Sequence, residues 1–159
     1  FPLELLPLIA VASAGFRAVV SLLVLVMVLV FSQGFVHWSS LAIILVLIAL
    51  TFHTVGLCLF VAALGVFVKD LSHFIGILGI LLLFVSPIFY PLSSLPIDLG
   101  WVVYLNPLTF AIEESRSLLI FGNGVNWAGL AIYYTFGILF VYFGIRFFSN
   151  ARAHYSDYI

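Results

Sequence analysis

The sequence predicts an all-α integral membrane protein, with four spanning helices and a re-entrant helical hairpin. Three observations carry that expectation. The chain has 159 residues, of which 65% are hydrophobic and only 7% charged, whereas an ordinary soluble domain is about 25% charged. It therefore lacks the polar residues to cover a water-facing surface, and its solvent is lipid. Four apolar stretches reach or approach the ~20 residues that a helix needs to cross hydrocarbon. Finally, four of the six prolines fall between positions 87 and 107, where they break the backbone of an otherwise apolar chain.

The first span is expected at about 8–36, its most apolar part being AVVSLLVLVMVLVF at 18–31. SQGFVHWSS (32–40) is a polar turn that places Trp38 at interface depth. The second span is expected at 41–68 and the third at about 74–90, joined by KDLSH (69–73). The fourth is expected at 127–148, before a short polar tail. Segment 91–126 is too apolar for a free loop, yet Pro96, Gly100 and Pro107 break it too often for a span. Two half-helices fit it, at 97–105 and 108–120. Pro107 would sit in the first turn of the second, where its missing N–H does no harm, and glycine from FGNG (121–124) would end it. All of 1–159 then forms one transmembrane domain, with a re-entrant region at about 91–120.

Lys and Arg set the orientation. Arg17, Lys69, Arg146 and Arg152 fall on one side of this topology and Arg116 alone on the other. The first side is expected to be cytoplasmic, which makes the proline-rich region extracytoplasmic. Broken helices survive at membrane depth only where protein buries them or water lies beside them. Such hairpins occur at pores and transport gates. The plain alternative is a proline-rich cap over the helix ends.

Few residues offer chemistry. In IEESRS (112–117), Glu113 and Arg116 are three apart on a helix and can pair, while Glu114 faces elsewhere. The pair either braces the re-entrant element or decorates a solvated helix end. Asp70 is placed to cap the third span and, with Lys69, to meet a cytoplasmic partner. Arg17 is read as marking the membrane edge, with the span starting at Ala18. The single cysteine, Cys58, is read as a packed apolar residue. The four histidines show no metal-binding spacing. His53 is most simply a histidine bonding a neighbouring helix, with a proton relay as the sharper reading. No P-loop or nucleophile elbow is present, so no catalysis, cofactor, metal or nucleic-acid partner is expected. Phe84, Phe89, Tyr90, Trp101, Tyr104 and Phe110 surround the broken region. They are either belt and core residues or the lining of a conduit in which aromatic faces stack on sugars.

Four segments resemble ABC-2 type permeases of polysaccharide exporters. FPLELLPL (1–8) is similar to the F-P-x-E-[IL]-L-P segment that enters a span in that family. VFVKDLSH (66–73) resembles its R-D-[LI] turn, with Lys69 where arginine is usual. SPIFYPLSSLP (86–96) is similar to its S-P-[IV]-x-[YF] segment, and LNPLTFAIEESRSLLIFG (105–122) to its N-P-[LF] segment followed by an arginine. The resemblance implies a six-span permease of which this chain is the last four spans. It further implies two permease copies around a conduit, and separate ATPase subunits that carry ATP and Mg. Pro87, Tyr90, Asn106, Pro107 and Arg116 are the positions carried over from those motifs, and the re-entrant gate adds Pro91, Pro96 and Glu113. Phe1, Pro2, Glu4, Lys69 and Asp70 would face the ATPase. Lysine at position 69 keeps the charge but loses arginine's planar fork.

The function expected is export of a lipid-linked polysaccharide (O-antigen, capsule or teichoic acid) across a bacterial cytoplasmic membrane. Alternatives are an ABC-2 permease for a small hydrophobic drug or lipid, a non-transporting membrane scaffold, and a proton-coupled carrier using His53. An aliphatic conduit lining would favour the drug and stacked aromatics the glycan.

Overall fold

The computed structural model describes residues 5–68, 70–94, 103 and 105–155. They form helices α1 (Leu5–Gln33), α2 (Ile43–Phe67), α3 (Leu71–Val85), α4 (Pro107–Leu119) and α5 (Trp127–Tyr155). Short 3-10 turns cover Trp38–Ala42 and Leu92–Ser94. There is no strand among the described residues. Among the described residues, three helices are long and apolar enough to cross a membrane: Leu6–Gln33, Trp38–Gly65 and Trp127–Ala151.

Two boundaries differ from the sequence reading for local reasons. α1 ends at Gln33 because Gly34 takes a positive φ of 77°, which a helix end accepts readily from glycine. α3 was expected to run to residue 90 but stops at Val85. The following residue, Ser86, precedes Pro87 and is extended, with ψ 140°, because the proline ring excludes the helical region there. At 15 residues and ~1.5 Å rise per residue, α3 is about 22 Å long, short of the ~30 Å hydrocarbon thickness.

The helix does not begin at Arg17: α1 runs unbroken from Leu5 through it, and Pro7 is tolerated near its described start. Asp70 occupies the N-cap position of α3, but its side chain makes no capping bond. Its backbone (φ −92°, ψ 10°) is not the extended form from which a cap reaches back to the N–H groups.

The core lies where α2, α4 and α5 meet: Val46 and Ala49 against Ala111 and Leu118, with Leu130 and Tyr133 closing the cluster. α2 and α5 run parallel, since Leu45 meets Tyr134, Gly56 meets Gly144 and Phe60 meets Phe147. The seam is built on small residues every seventh position: Ala49, Gly56 and Ala63 on α2, and Gly137, Gly144 and Ala151 on α5. All six are buried. A seven-residue repeat keeps one face of each helix turned to its partner, and small residues let backbones approach closely. Gly76 and Gly79 are the other candidate small-residue contacts. Both lie on α3 with nothing within 4 Å of where a Cβ would stand. α3 has no buried residue and α1 none within its apolar window.

A Cβ on Gly56 would fall 2.5 Å from the carbonyl carbon of Phe140. Backbone cannot rotate away as a side chain can. Gly56→Ala should therefore force α2 and α5 apart at a cost of roughly 1–3 kcal/mol, read as a lower thermal midpoint in detergent. Gly15→Ala, which has open space around it, should show no such loss.

Candidate functional site: a braced helix break

The break after α3 leaves carbonyls without helical partners. In lipid each would cost several kcal/mol. The structure supplies partners for them from two directions.

One set is local. Tyr90 Oη donates to Val85 O at 2.8 Å, while Ser86 Oγ, at 2.6 Å, adds a second bond to Leu82 O, which already accepts Ser86 N–H. The other set comes from α4. Asn106 precedes Pro107 just as Ser86 precedes Pro87, and it is likewise extended, with ψ 121°. That conformation makes it the N-cap: its Oδ1 accepts from Leu108 N at 2.9 Å. Its Nδ2 donates to Ser86 Oγ at 2.8 Å. A continuous chain of hydrogen bonds therefore links the first turn of α4 to the last turn of α3. Ser86 and Pro87 are fully buried, and Asn106 is 6% exposed. Thr109, also buried, donates to Val103 O and ties down the approach to α4.

Arg116 makes the second link. Its guanidinium donates to Pro87 O at 2.7 Å and pairs with Glu113 on the preceding turn. Of the two readings of IEESRS, the geometry has the arginine reaching back to the break rather than standing in solvent. Arg116 is the larger contributor, because it serves a backbone carbonyl as well as the carboxylate. Glu113 holds its head in place.

α4 is fixed on its other sides too. Ser39 and Ser40, in the turn before α2, both donate to Leu118 O, satisfying a carbonyl at the helix C-terminus. Glu114 is buried and accepts from Asn126 N at 2.8 Å, just before α5. Gly122 ends the segment with φ 64°, and the His37 ring packs where its Cβ would stand. The sequence reading missed Ser86, Ser40 and Glu114. The first was hidden in the S-P pair, of which Pro87 alone was carried over, whereas both Asn106 and Pro107 were taken from its counterpart N-P. The third was set aside because it lies off the Glu113–Arg116 face.

The aromatic residues do not form one surface. Phe84 and Phe89 are exposed, whereas Phe110 turns inward against Tyr133 at 4.9 Å. Pro91 is exposed next to the Leu92–Ser94 turn. Phe1, Pro2, Glu4, Lys69, Pro96, Trp101 and Tyr104 lie outside the described residues, as does nearly all of the half-helix expected at 97–105. His53 bonds its own helix, not a neighbouring one. Its Nδ1 donates to Ala49 O at 3.0 Å and its ring stacks on Tyr133. No group of three or more potential metal ligands occurs among the described residues.

These features define a multi-pass helical membrane protein with a polar-braced helix break beside a short, buried helix. The chain belongs to the ABC-2 type transporter family, whose pattern it matches over residues 1–120. It is therefore of the permease class and a multi-pass inner-membrane protein. It is 29% identical over 160 residues to an O-antigen export system permease protein RfbA of Klebsiella pneumoniae, covering 99% of this chain and 61% of that protein. A second protein of that name and organism is 31% identical over 106 residues, 65% of this chain and 40% of its own length. The chain thus spans 61% and 40% of the lengths of these two relatives. No solved structure gives a significant match.

Arg116→Ala strips donors from Pro87 O and strands Glu113. A hydrogen bond to a charged group is worth roughly 1.5–3 kcal/mol, and the variant should lose about that much in detergent unfolding of the full permease. Glu113→Gln should lose under ~1 kcal/mol, as partly exposed pairs do. Equal losses would place the stabilisation in the ion pair rather than in the contact with the break.

Proposed function

We propose that this chain is the membrane-spanning part of an ATP-driven exporter that moves a lipid-linked polysaccharide outward across the cytoplasmic membrane. The observation that carries the reading is similarity over 99% of the chain to a protein named as an O-antigen export permease. The four ordered motifs agree with it, and three of their residues, Asn106, Pro107 and Arg116, take part in one structural unit.

In this reading two permease copies enclose the conduit. A separate ATPase binds ATP and Mg and does the hydrolysis, and no residue of this chain is catalytic. Force would enter on the side of Lys69 and Asp70, at the start of α3. It would leave at the other end, where Ser86, Asn106 and Arg116 tie α3 to α4. Because α3 has few contacts along its length and strong ones at its broken end, a displacement of α3 would carry α4 with it. Polysaccharide would pass the outer mouth when this unit swings aside.

One observation favours a second reading, export of a smaller hydrophobic molecule. The exposed middle of α3 is aliphatic, through Ile77, Leu78, Ile80 and Leu81, and its exposed aromatics, Phe74 and Phe84, lie near its ends. An aliphatic wall gives dispersion contact but no stacking platform for sugars.

Reconstitution of the full permease with its ATPase in vesicles separates the two. The proposal expects ATP-dependent appearance of lipid-linked glycan in the opposite leaflet, reduced by Arg116→Ala. Export of a hydrophobic dye with no glycan movement would favour the second reading and sink the first.

A further inference from the structure

A cavity of about 410 Å³ lies between α4 and α5, with Asn106, which braces the α3 break, at its edge. Ile132, Tyr133, Phe136 and Phe140 of α5 form one wall, and Pro107 and Phe110 form the other. The volume is that of a site for a small ligand, ~300–1,000 Å³.

Two of the polar groups in its lining are already bonded within the protein. His53 spends its Nδ1 proton on Ala49 O, and Asn106 is bonded to Ser86 and Leu108. The Tyr133 hydroxyl is screened and has no partner. Most of what faces the cavity is ring surface and aliphatic carbon. Such a lining suits a hydrocarbon chain better than sugar, phosphate or peptide, most of whose polar atoms would go unpaired.

Level and length identify the source. Trp127 is exposed at the start of α5, where tryptophan marks the membrane interface. The lining on α5 runs from Gly129 to Phe140, about 16 Å at ~1.5 Å per residue, which matches one leaflet, half of the ~30 Å hydrocarbon. Ile132 and Phe136 are each more than half exposed, so the cavity opens sideways toward lipid. We infer that this groove is a binding site for one acyl chain of a glycerophospholipid from the leaflet on the α4 side. The chain would wedge behind Pro107 and Phe110 and support α4 beside its polar brace. This inference needs only the membrane setting, and it holds whichever cargo the protein moves.

A diazirine-bearing acyl chain on phosphatidylethanolamine tests it, with the full permease and its ATPase in lipid nanodiscs. The site predicts labelling of Phe110, Phe136 and Phe140 roughly tenfold above Val20, Val24 and Val28 of α1, a preference of ~1.4 kcal/mol. Ile132→Trp, or the smaller Ile132→Phe, should fill the groove and remove that excess while leaving α1 labelling unchanged. Equal labelling of α1 and α5 would make the lipid ordinary bilayer solvent and overturn the site. Labelling of the groove below that of α1 would also overturn it, by showing that a protein segment fills it.

Discussion

A backbone that breaks inside a membrane must still satisfy its carbonyls. That constraint governs the architecture around residues 82–118. Pro87 ends α3, and the freed oxygens of Val85 and Pro87 have no water to turn to. Each finds a side chain: Tyr90 for Val85 and Arg116 for Pro87. Only Tyr90 is local. Arg116 must come from elsewhere, as must the Asn106 amide that anchors Ser86, and both are carried by α4. The break therefore requires α4 to lie where it does.

α4 can hold that position because its other surfaces are buried in the strongest part of the molecule. Ala111 and Leu118 pack into the α2–α5 core, and the serines before α2 cap its C-terminal carbonyl. The α2–α5 seam owes its closeness to Gly56, Gly137 and Gly144. A rigid pair of helices thus supports a short helix, which in turn grips the end of a loosely packed one. That gradient of packing, firm at α2 and α5 and sparse at α3, is what a moving element on a fixed frame requires.

Much of this could be read in the sequence because hydropathy and proline act locally. The apolar segments, a proline break after the third of them, the first-turn place of Pro107 and the spacing of Glu113 and Arg116 all follow from neighbours along the chain. The end of α3 at Val85 was equally local, but it needed the pre-proline restriction on Ser86 to be weighed above the apolar run through Tyr90. What could not be read depends on contacts distant in sequence: Ser40 on Leu118, Asn106 on Ser86 and Glu114 on Asn126. Nothing near Glu114 hints that its partner lies twelve residues on, across a glycine turn. The seven-residue spacing of small residues on α2 and α5 was legible in principle. It was overlooked because Gly76 and Gly79 offered a more conspicuous pair, and they turn out to face open space. The aromatic residues misled in a similar way. Nearness in sequence suggested a common lining, whereas Phe110 faces the core and Phe84 the outside.

The central claim is that the end of α3 and the start of α4 form one unit that moves during transport. Single cysteines at Ile88, Phe89 and Leu105, in a Cys58→Ser background of the full transporter, test it most directly. Their reactivity with a water-soluble maleimide would be followed with and without ATP turnover. The account predicts that all three change together on turnover, and that Asn106→Ala combined with Arg116→Ala uncouples position 105 from 88 and 89. Reactivity that stays constant through turnover would contradict it and leave the brace as a static cap.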